Sequence, residues 1–89
     1  MNNRYKILYT NQGLKDKRIA FQAGYGKKID FILSTLEKNP FASYPPFEKL
    51  VGDLSGAYSR RINAQHRIVY QVYNEERIIK IISMWLHYE

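Results

Sequence analysis

The stretch YSRRINAQHRIVYQVY (residues 58–73) contains two runs in which apolar and polar side chains alternate. The runs cover residues 57–63 and 67–73, and the polar segment 63–66 between them can form a turn. Successive side chains of a strand point to opposite faces of a sheet, so this alternation is typical of strands that bury one face. The stretch therefore predicts a β-hairpin.

The arginines of this hairpin are unusual for strands that bury one face. Arg60 and Arg61 are consecutive, so regular strand geometry points them to opposite faces and they cannot both serve one pocket. Arg67 opens the second strand, close to Arg61 or Asn63 in space. A guanidinium can bind phosphate oxygens with two parallel hydrogen bonds, which makes a phosphate-binding site one interpretation. Ordinary surface charge on a solvated strand is the other.

Two helices are predicted before the hairpin. Residues 11–23 can form the first, with Asn11 as its cap, although its apolar periodicity is limited to Leu14 and Phe21 on one face. The second, within YGKKIDFILSTLEKNP (residues 25–40), has apolar side chains at helical spacing and ends before a proline. Its stripe consists of Ile29, Ile32, Leu33 and Leu36. Such a stripe is typical of a core-facing helix.

Further strands are predicted at both ends of the chain. Residues 4–10 alternate well enough for a first strand, and residues 77–87 are apolar on both faces, as a central strand should be. Residues 41–56 are rich in proline, glycine and serine and are predicted to be irregular. The elements predict an α+β fold with two N-terminal helices packed on one face of a curved antiparallel sheet. The other face stays partly open, and a site could form there.

The composition limits the classes of function. A chain of 89 residues predicts a single domain, 1–89, and a net charge of +6 favours an anionic partner such as nucleic acid, an acidic protein or a membrane surface. A basic charge that only keeps the protein soluble is the alternative. The chain has no cysteine and two histidines, so thiol chemistry and cysteine zinc sites are excluded, and we expect no metal or other cofactor. No apolar run has the length of a membrane span or resembles a signal peptide, so we expect a cytoplasmic protein without a membrane partner.

Two proton carriers lie far apart in the sequence. Glu48 follows a stiff Pro-Pro-Phe segment, and His87 closes the last predicted strand. Taken singly, each is most simply a surface residue. Cleaving RNA without a metal requires a base for the 2′-hydroxyl, an acid for the departing 5′-oxygen and cations for the phosphorane. A glutamate, a histidine and an arginine cluster can fill these roles, but spacing alone does not show that Glu48 and His87 meet.

Several motifs together resemble one family. Residues 46–70, PFEKLVGDLSGAYSRRINAQHRIVY, followed by His-Tyr at 87–88, are similar to the YoeB/Txe toxins of the RelE superfamily. The shared features are Glu-x-Leu before a Leu-Ser-Gly turn, Ser-Arg-Arg-Ile, His-Arg-Ile-Val-Tyr and the His-Tyr near the end. The order of the helices also matches. A departure is Glu89, which follows the His-Tyr pair.

The resemblance implies a RelE-like, microbial-ribonuclease-like fold. It also implies a toxin of a type II toxin–antitoxin system that cleaves messenger RNA in the ribosomal A site and leaves a 2′,3′-cyclic phosphate and a 5′-hydroxyl. It places Glu48 as general base, Arg67 as the cation at the phosphorane and His87 as general acid. It places four residues at the substrate, namely Lys49, Arg60, Arg61 and Tyr88. Implied partners are the ribosome, mRNA, an antitoxin of the YefM/Phd type and a second copy in a homodimer.

Two other functions fit parts of the pattern. A non-catalytic RNA-binding module would need the basic residues but not Glu48, Arg67 and His87 together. A DNA-binding repressor would need a helix-turn-helix with a basic recognition helix, and the sequence contains no such pattern.

Overall fold

The computed structural model describes residues 4–87, with side chains up to residue 85. Its elements are β1 (Lys6–Tyr9), α1 (Asn11–Gln22), α2 (Gly26–Lys38), β2 (Phe47–Lys49), a short 3-10 helix (Gly52–Leu54), β3 (Tyr58–Arg61), β4 (His66–Tyr73) and β5 (Ile78–His87). The strands form one sheet in the order β1-β5-β4-β3-β2. The predicted α+β class is confirmed. Within the described residues, no helix is long and apolar enough to cross a bilayer.

The sheet is mixed and not wholly antiparallel, which corrects the prediction for the first strand. β2, β3, β4 and β5 pair antiparallel in sequence order, but β1 runs parallel to β5, with Ile7 opposite Ile79. The two helices carry the chain from β1 at one edge of the sheet to β2 at the other. The partner of the first strand is thus the last one, and local patterning contains no signal for that pairing.

The central hairpin forms as predicted. β3 and β4 pair in a register that puts Tyr58 opposite Tyr70 and Arg61 opposite Arg67. The turn is closed by a hydrogen bond from the amide of Ile62 to the carbonyl of His66, at 2.9 Å. The strands bury one face, as their alternation predicted, because one set of side chains packs in the main core. That set contains Tyr58, Ile62, Ile68, Tyr70 and Val72.

Helix α2 forms the main cover of the core. All four residues of the predicted apolar stripe, from Ile29 to Leu36, are buried against the sheet. Complete burial of one such side chain stabilises the fold by about 1.5–3 kcal/mol. The stripe is therefore structural, as the sequence indicated.

Helix α1 packs through different residues from those that its periodicity indicated. Leu14 and Phe21 are exposed, whereas Gly13, Asp16 and Ala20 are buried. The reason is close approach, since a Cβ at Gly13 would lie 2.8 Å from the carbonyl oxygen of Ile81 in β5. Small side chains are needed where the helix backbone touches the sheet.

The start of α1 also differs from the prediction. The capping residue is Thr10 and not Asn11, because the Thr10 hydroxyl accepts a hydrogen bond from the amide of Gly13 at 2.9 Å. Asn11 is instead the first residue of the helix. Thr10 has a second role, since its hydroxyl donates to the carbonyl of Ile82 at 2.6 Å and joins the cap to β5.

The buried carboxylate of Asp16 holds an irregular part of β5. Its Oδ2 accepts hydrogen bonds from the backbone amides of Met84 at 3.0 Å and Trp85 at 3.3 Å. The pairing of β4 with β5 shifts register in this region, between Arg67 and Tyr70. Helix α1 thus supplies an acceptor for amides where the sheet ladder is irregular.

One strand was missed by the sequence analysis. Residues 41–56 were predicted to be irregular, but three of them form β2, an edge strand in which Glu48 lies opposite Ser59 of β3. Three residues are too few to show an alternation. The missed strand matters because it carries the proposed general base.

The hydroxyl of Tyr70 in β4 makes two hydrogen bonds inside the core. Its hydroxyl accepts from Nε of Arg60 at 3.0 Å and donates to the carbonyl of Pro40 at 3.3 Å. Burial raises the pKa of Tyr70 above its ordinary value of 10.0, and the nearby charge of Arg60 offsets part of that effect. The fold therefore favours the neutral hydroxyl.

We expect Tyr70→Phe to lower the free energy of unfolding at pH 7 by about 1–3 kcal/mol, because Arg60 loses a buried acceptor. A raised pKa means that the hydroxyl's contribution is complete below about pH 10 and is lost as the pH rises further. The difference between wild type and variant should therefore shrink above about pH 10. Denaturant unfolding between neutral and alkaline pH measures it, and a constant difference would contradict the assignment.

Candidate active site

Glu48 of β2 and Arg67 of β4 form an ion pair. Nη1 of Arg67 donates to Oε1 of Glu48 at 2.9 Å and to the hydroxyl of Ser59 at 3.1 Å. The Arg67 side chain is 8% exposed, whereas the Glu48 side chain is 58% exposed. The guanidinium is thus fixed by its neighbours, and the carboxylate that it contacts is open to solvent.

The pair lies in a cleft of about 180 Å³. The cleft is bounded by the first turn of α2, the loop before β2 and the three strands β2, β3 and β4. Its lining consists of Lys28, Tyr44, Pro45, Pro46, Glu48, Ser59, Arg61 and Arg67. Three cations and one carboxylate in one cleft can bind a phosphate group and accept a proton close to it.

Two other predicted substrate residues take different positions. Arg61 is exposed and lines the cleft, and its Nη1 donates to the carbonyl of Ala64 at 3.3 Å. Lys49 is exposed too, but it lies next to Glu48 on β2 and lines a separate depression with residues 50, 51 and 55–58. The structure therefore brings Arg61 to Glu48 and Arg67, and it does not bring Lys49 there.

Arg60 does not have the position that phosphate binding requires, and this corrects the sequence prediction. It has no exposed surface and lies on the helix-covered face, with its guanidinium 5.0 Å from the centre of the Phe47 ring. Its hydrogen bonds go to the carbonyls of Pro40 (3.0 Å), Ala42 (2.9 Å) and Pro45 and to the hydroxyl of Tyr70 (3.0 Å). The guanidinium thus anchors the loop before β2 to β3.

The neighbouring arginines give a matched test of this assignment. We expect Arg60→Lys to lower the free energy of unfolding by about 2–5 kcal/mol, because an ammonium cannot reach all the partners of a guanidinium. Arg61→Lys should change it by less than about 0.5 kcal/mol, since Arg61 is exposed. Thermal and denaturant unfolding of both variants measure the effect, and equal stabilities would show that Arg60 is not a structural anchor.

The residues near the end of the chain are described only in part. The backbone of His87 pairs with that of His66, and Leu86 pairs with Arg67. The last described residue of β5 is therefore at the same end of the sheet as the cleft. The side chain of His87 and the whole of Tyr88 lie outside the described residues, so the roles given to them stay predictions.

His66, at the start of β4, stacks on an aromatic ring. Its imidazole lies 3.7 Å from the Trp85 ring, centre to centre, and the two planes differ by 7°. Nδ1 of His66 also lies 3.2 Å from Oδ1 of Asn63 in the turn. The sequence indicated only a turn residue here, so the stacked pair is a structural feature that patterning missed.

Besides the two prolines, three residues that line the cleft were not singled out from the sequence as site residues. Ser59 hydrogen-bonds Arg67, Lys28 comes from α2, and Tyr44 comes from the loop before β2. A serine beside the arginine pair was visible in the hairpin motif. Lys28 and Tyr44 had no such signal, because tertiary packing alone brings a helix turn and a loop to this sheet.

Solved structures of bacterial toxins share this fold. A YoeB/ParE toxin from Agrobacterium tumefaciens superposes with a TM-score of 0.83 at 32% identity, covering 93% of this chain and 99% of the other. YoeB from the Staphylococcus aureus YoeB–YefM complex superposes with a TM-score of 0.79 at 36% identity, covering 96% and 99%. The same S. aureus toxin is known as a dimer. The architecture is thus that of YoeB-type toxins.

Sequence comparisons give the family. A family model described as a YoeB-like toxin of a bacterial type II toxin–antitoxin system matches residues 8–88. Toxin YoeB from Synechocystis sp. is 38% identical over 63 residues, which is 71% of each chain. Toxin YoeB from Escherichia coli O6:H1 is 39% identical over 64 residues, or 72% of this chain and 69% of that one. The chain belongs to the YoeB-like toxin family.

Proposed function

We propose that this toxin is an endoribonuclease that cleaves messenger RNA in the ribosomal A site and so stops translation. The observation that carries the proposal is the pair of Glu48 and Arg67, in which an open carboxylate lies 2.9 Å from a fixed guanidinium in a cationic cleft. A reaction that removes a proton beside a phosphate uses a base of this kind and a cation that stabilises the developing charge.

The proposed reaction is an internal transfer at one phosphodiester. Glu48 takes the proton of the 2′-hydroxyl, the 2′-oxygen forms a bond to phosphorus, and the bond from phosphorus to the 5′-oxygen breaks. His87 gives its proton to the departing 5′-oxygen, and Arg67 stabilises the added negative charge on the phosphorane. The products are a 2′,3′-cyclic phosphate and a 5′-hydroxyl. Each proton has a protein carrier, so the mechanism does not call for a metal.

The surroundings of Arg67 support its role. Its side chain is almost buried and is held by Ser59 and Glu48, so the guanidinium requires little reorganisation when charge develops on the phosphate. Arg61 and Lys28 add two cations to the same cleft and are proposed to bind flanking phosphates. The roles of His87 and Tyr88 as acid and as an RNA contact rest on the family resemblance.

The charge of the chain and the assemblies of its relatives support the proposed partners. A chain with a net charge of +6 is complementary to an acidic partner, and we propose an antitoxin of the YefM type that folds on this toxin. The S. aureus relative forms a complex of that kind and a dimer. We propose both assemblies for this toxin, and the cytoplasm as the place where it meets ribosomes.

An isosteric substitution of the proposed base tests the proposed active site. We expect Glu48→Gln to slow mRNA cleavage by about 10²- to 10⁴-fold, because the amide cannot accept the 2′-hydroxyl proton. Arg67→Lys should slow cleavage by about 10²- to 10³-fold, since it keeps the charge but loses the fork geometry. The measurements are mapped cleavage ends and growth arrest in cells that make each variant. Lys15→Gln is the matched control, because Lys15 is an exposed lysine of α1 that does not line the cleft.

The outcomes separate catalysis from binding. Cleavage by Glu48→Gln at the wild-type rate would contradict the role of the base. A wild type that binds RNA and arrests growth without new 5′-hydroxyl ends would favour the alternative, a non-catalytic RNA-binding module.

The ribosome dependence of the reaction is a separate prediction. We expect cleavage of mRNA on programmed ribosomes to be at least about 10²-fold faster than cleavage of naked mRNA, because the ribosome would orient the 2′-hydroxyl for in-line attack. Single-turnover rates on the two substrates with the same protein measure this ratio. Equal rates would contradict A-site cleavage and leave a general ribonuclease.

A further inference from the structure

Two exposed aromatic side chains form a ledge at the rim of the cleft. The ledge consists of Phe31 in α2 and Tyr44 in the loop before β2, which are 46% and 71% exposed. Their ring centres lie 6.3 Å apart, and the planes are tilted by 58°. Contact with Phe31 limits the orientations available to the Tyr44 ring while most of its surface stays open to solvent.

The loop that carries Tyr44 is fixed from both sides. The guanidinium of Arg60 donates to the carbonyls of Ala42 and Pro45, which flank Tyr44 at a distance of one or two residues. Two prolines follow the tyrosine and restrict the backbone further. An exposed ring on an anchored loop loses little conformational entropy when a ligand stacks on it.

The ledge continues directly into the proposed reaction centre. Tyr44 lines the same cleft as Glu48 and Arg67. Lys28 also lines it and lies one helical turn before Phe31, so the two side chains share a face of α2. The ledge offers an aromatic ring for stacking, and the cleft offers positive charge. Surfaces that bind single-stranded nucleic acid combine these two features.

We propose that the ledge is a nucleobase-binding subsite, in which the base next to the scissile phosphate stacks on Tyr44 while Lys28 binds a flanking phosphate. This subsite rests on the proposed ribonuclease function and adds a contact that the reacting groups do not supply. Stacking is tolerant of base identity, so the subsite contributes affinity and position and does not specify a sequence.

A protein partner is the other conceivable occupant of the ledge, and the surroundings disfavour it. Lysine is depleted at protein interfaces, and this ledge is continuous with a cleft that contains Lys28 beside Arg61 and Arg67. An aromatic ring among cations matches a nucleotide, which has a π-face and a phosphate close together.

The test measures binding without cleavage. Fluorescence anisotropy would follow the binding of labelled hexanucleotides with 2′-O-methyl groups, in which the attacking hydroxyl is blocked. One set keeps all its bases, and a second set carries one abasic residue at successive positions. The proteins are wild type, Tyr44→Leu and Tyr44→Phe, together with Tyr73→Leu as the matched control. Tyr73 is an exposed tyrosine at the opposite end of β4 from Arg67.

We expect Tyr44→Leu to weaken binding by about 5- to 150-fold, and Tyr44→Phe and Tyr73→Leu to bind like the wild type. Loss of the base at one position should weaken binding by the wild type, and the same loss should have no effect on Tyr44→Leu. Lys28→Gln should reduce the salt dependence of binding by about one counterion, whereas Tyr44→Leu should leave that dependence unchanged. An unfolded variant would lose both affinity and salt dependence, so it would not show these different effects. The melting temperature of each variant checks that it is folded.

Three results would overturn the subsite. These are wild-type affinity in Tyr44→Leu, equal loss in Tyr44→Leu and Tyr73→Leu, and a wild type that binds no hexanucleotide. If the wild type still cleaves mRNA in any of these cases, the ribonuclease function stands and the subsite alone is wrong. If the wild type neither cleaves nor binds RNA, the proposed function fails as well. Unchanged RNA binding by Tyr44→Leu with weakened antitoxin binding would assign the ledge to a protein partner.

Discussion

The cleft of this toxin depends on the hydrogen bonds of one buried guanidinium, that of Arg60. It joins β3 to the loop before β2 through the carbonyls of three loop residues and through Tyr70, with no side chain of opposite charge among these partners. A buried cation is costly unless its donors are satisfied, so the loop has to follow the path that supplies those carbonyls. That path leads directly into β2 and thereby sets the position of Glu48 against Ser59.

The cationic hairpin divides its arginines between two tasks. Arg60 and Arg61 are adjacent, and the pleat of the strand sends one into the core and the other to the cleft. Arg67 lies between these extremes, since its side chain is nearly buried but its Nη1 contacts the exposed carboxylate of Glu48. An arginine fixed in this way presents charge in one direction, which is the property that stabilisation of a developing phosphorane requires.

Much of the architecture could be predicted from local pattern. The hairpin, the apolar stripe of α2 and the pairing of helices with a sheet all follow from periods of two or 3.6 residues. Apolar periodicity did not predict the contacts of elements that pack through few apolar side chains. Helix α1 contacts the sheet through Gly13 and a buried aspartate, β2 has three residues, and β1 pairs with the last strand of the chain. None of these features leaves an apolar periodicity.

The sequence by itself determined the family, the hairpin and the types of residue available for chemistry, because these depend on motif, period and charge. Only the tertiary structure decided which of those residues meet. In the structure Glu48 lies beside Arg67, and Lys28 and Tyr44 line the same cleft. Arg60 is buried in the core, and Lys49 lies outside the cleft. The physical reason is that the alternation along a strand determines which of its side chains share a face. The path of a loop depends instead on hydrogen-bond partners that are far away in the sequence.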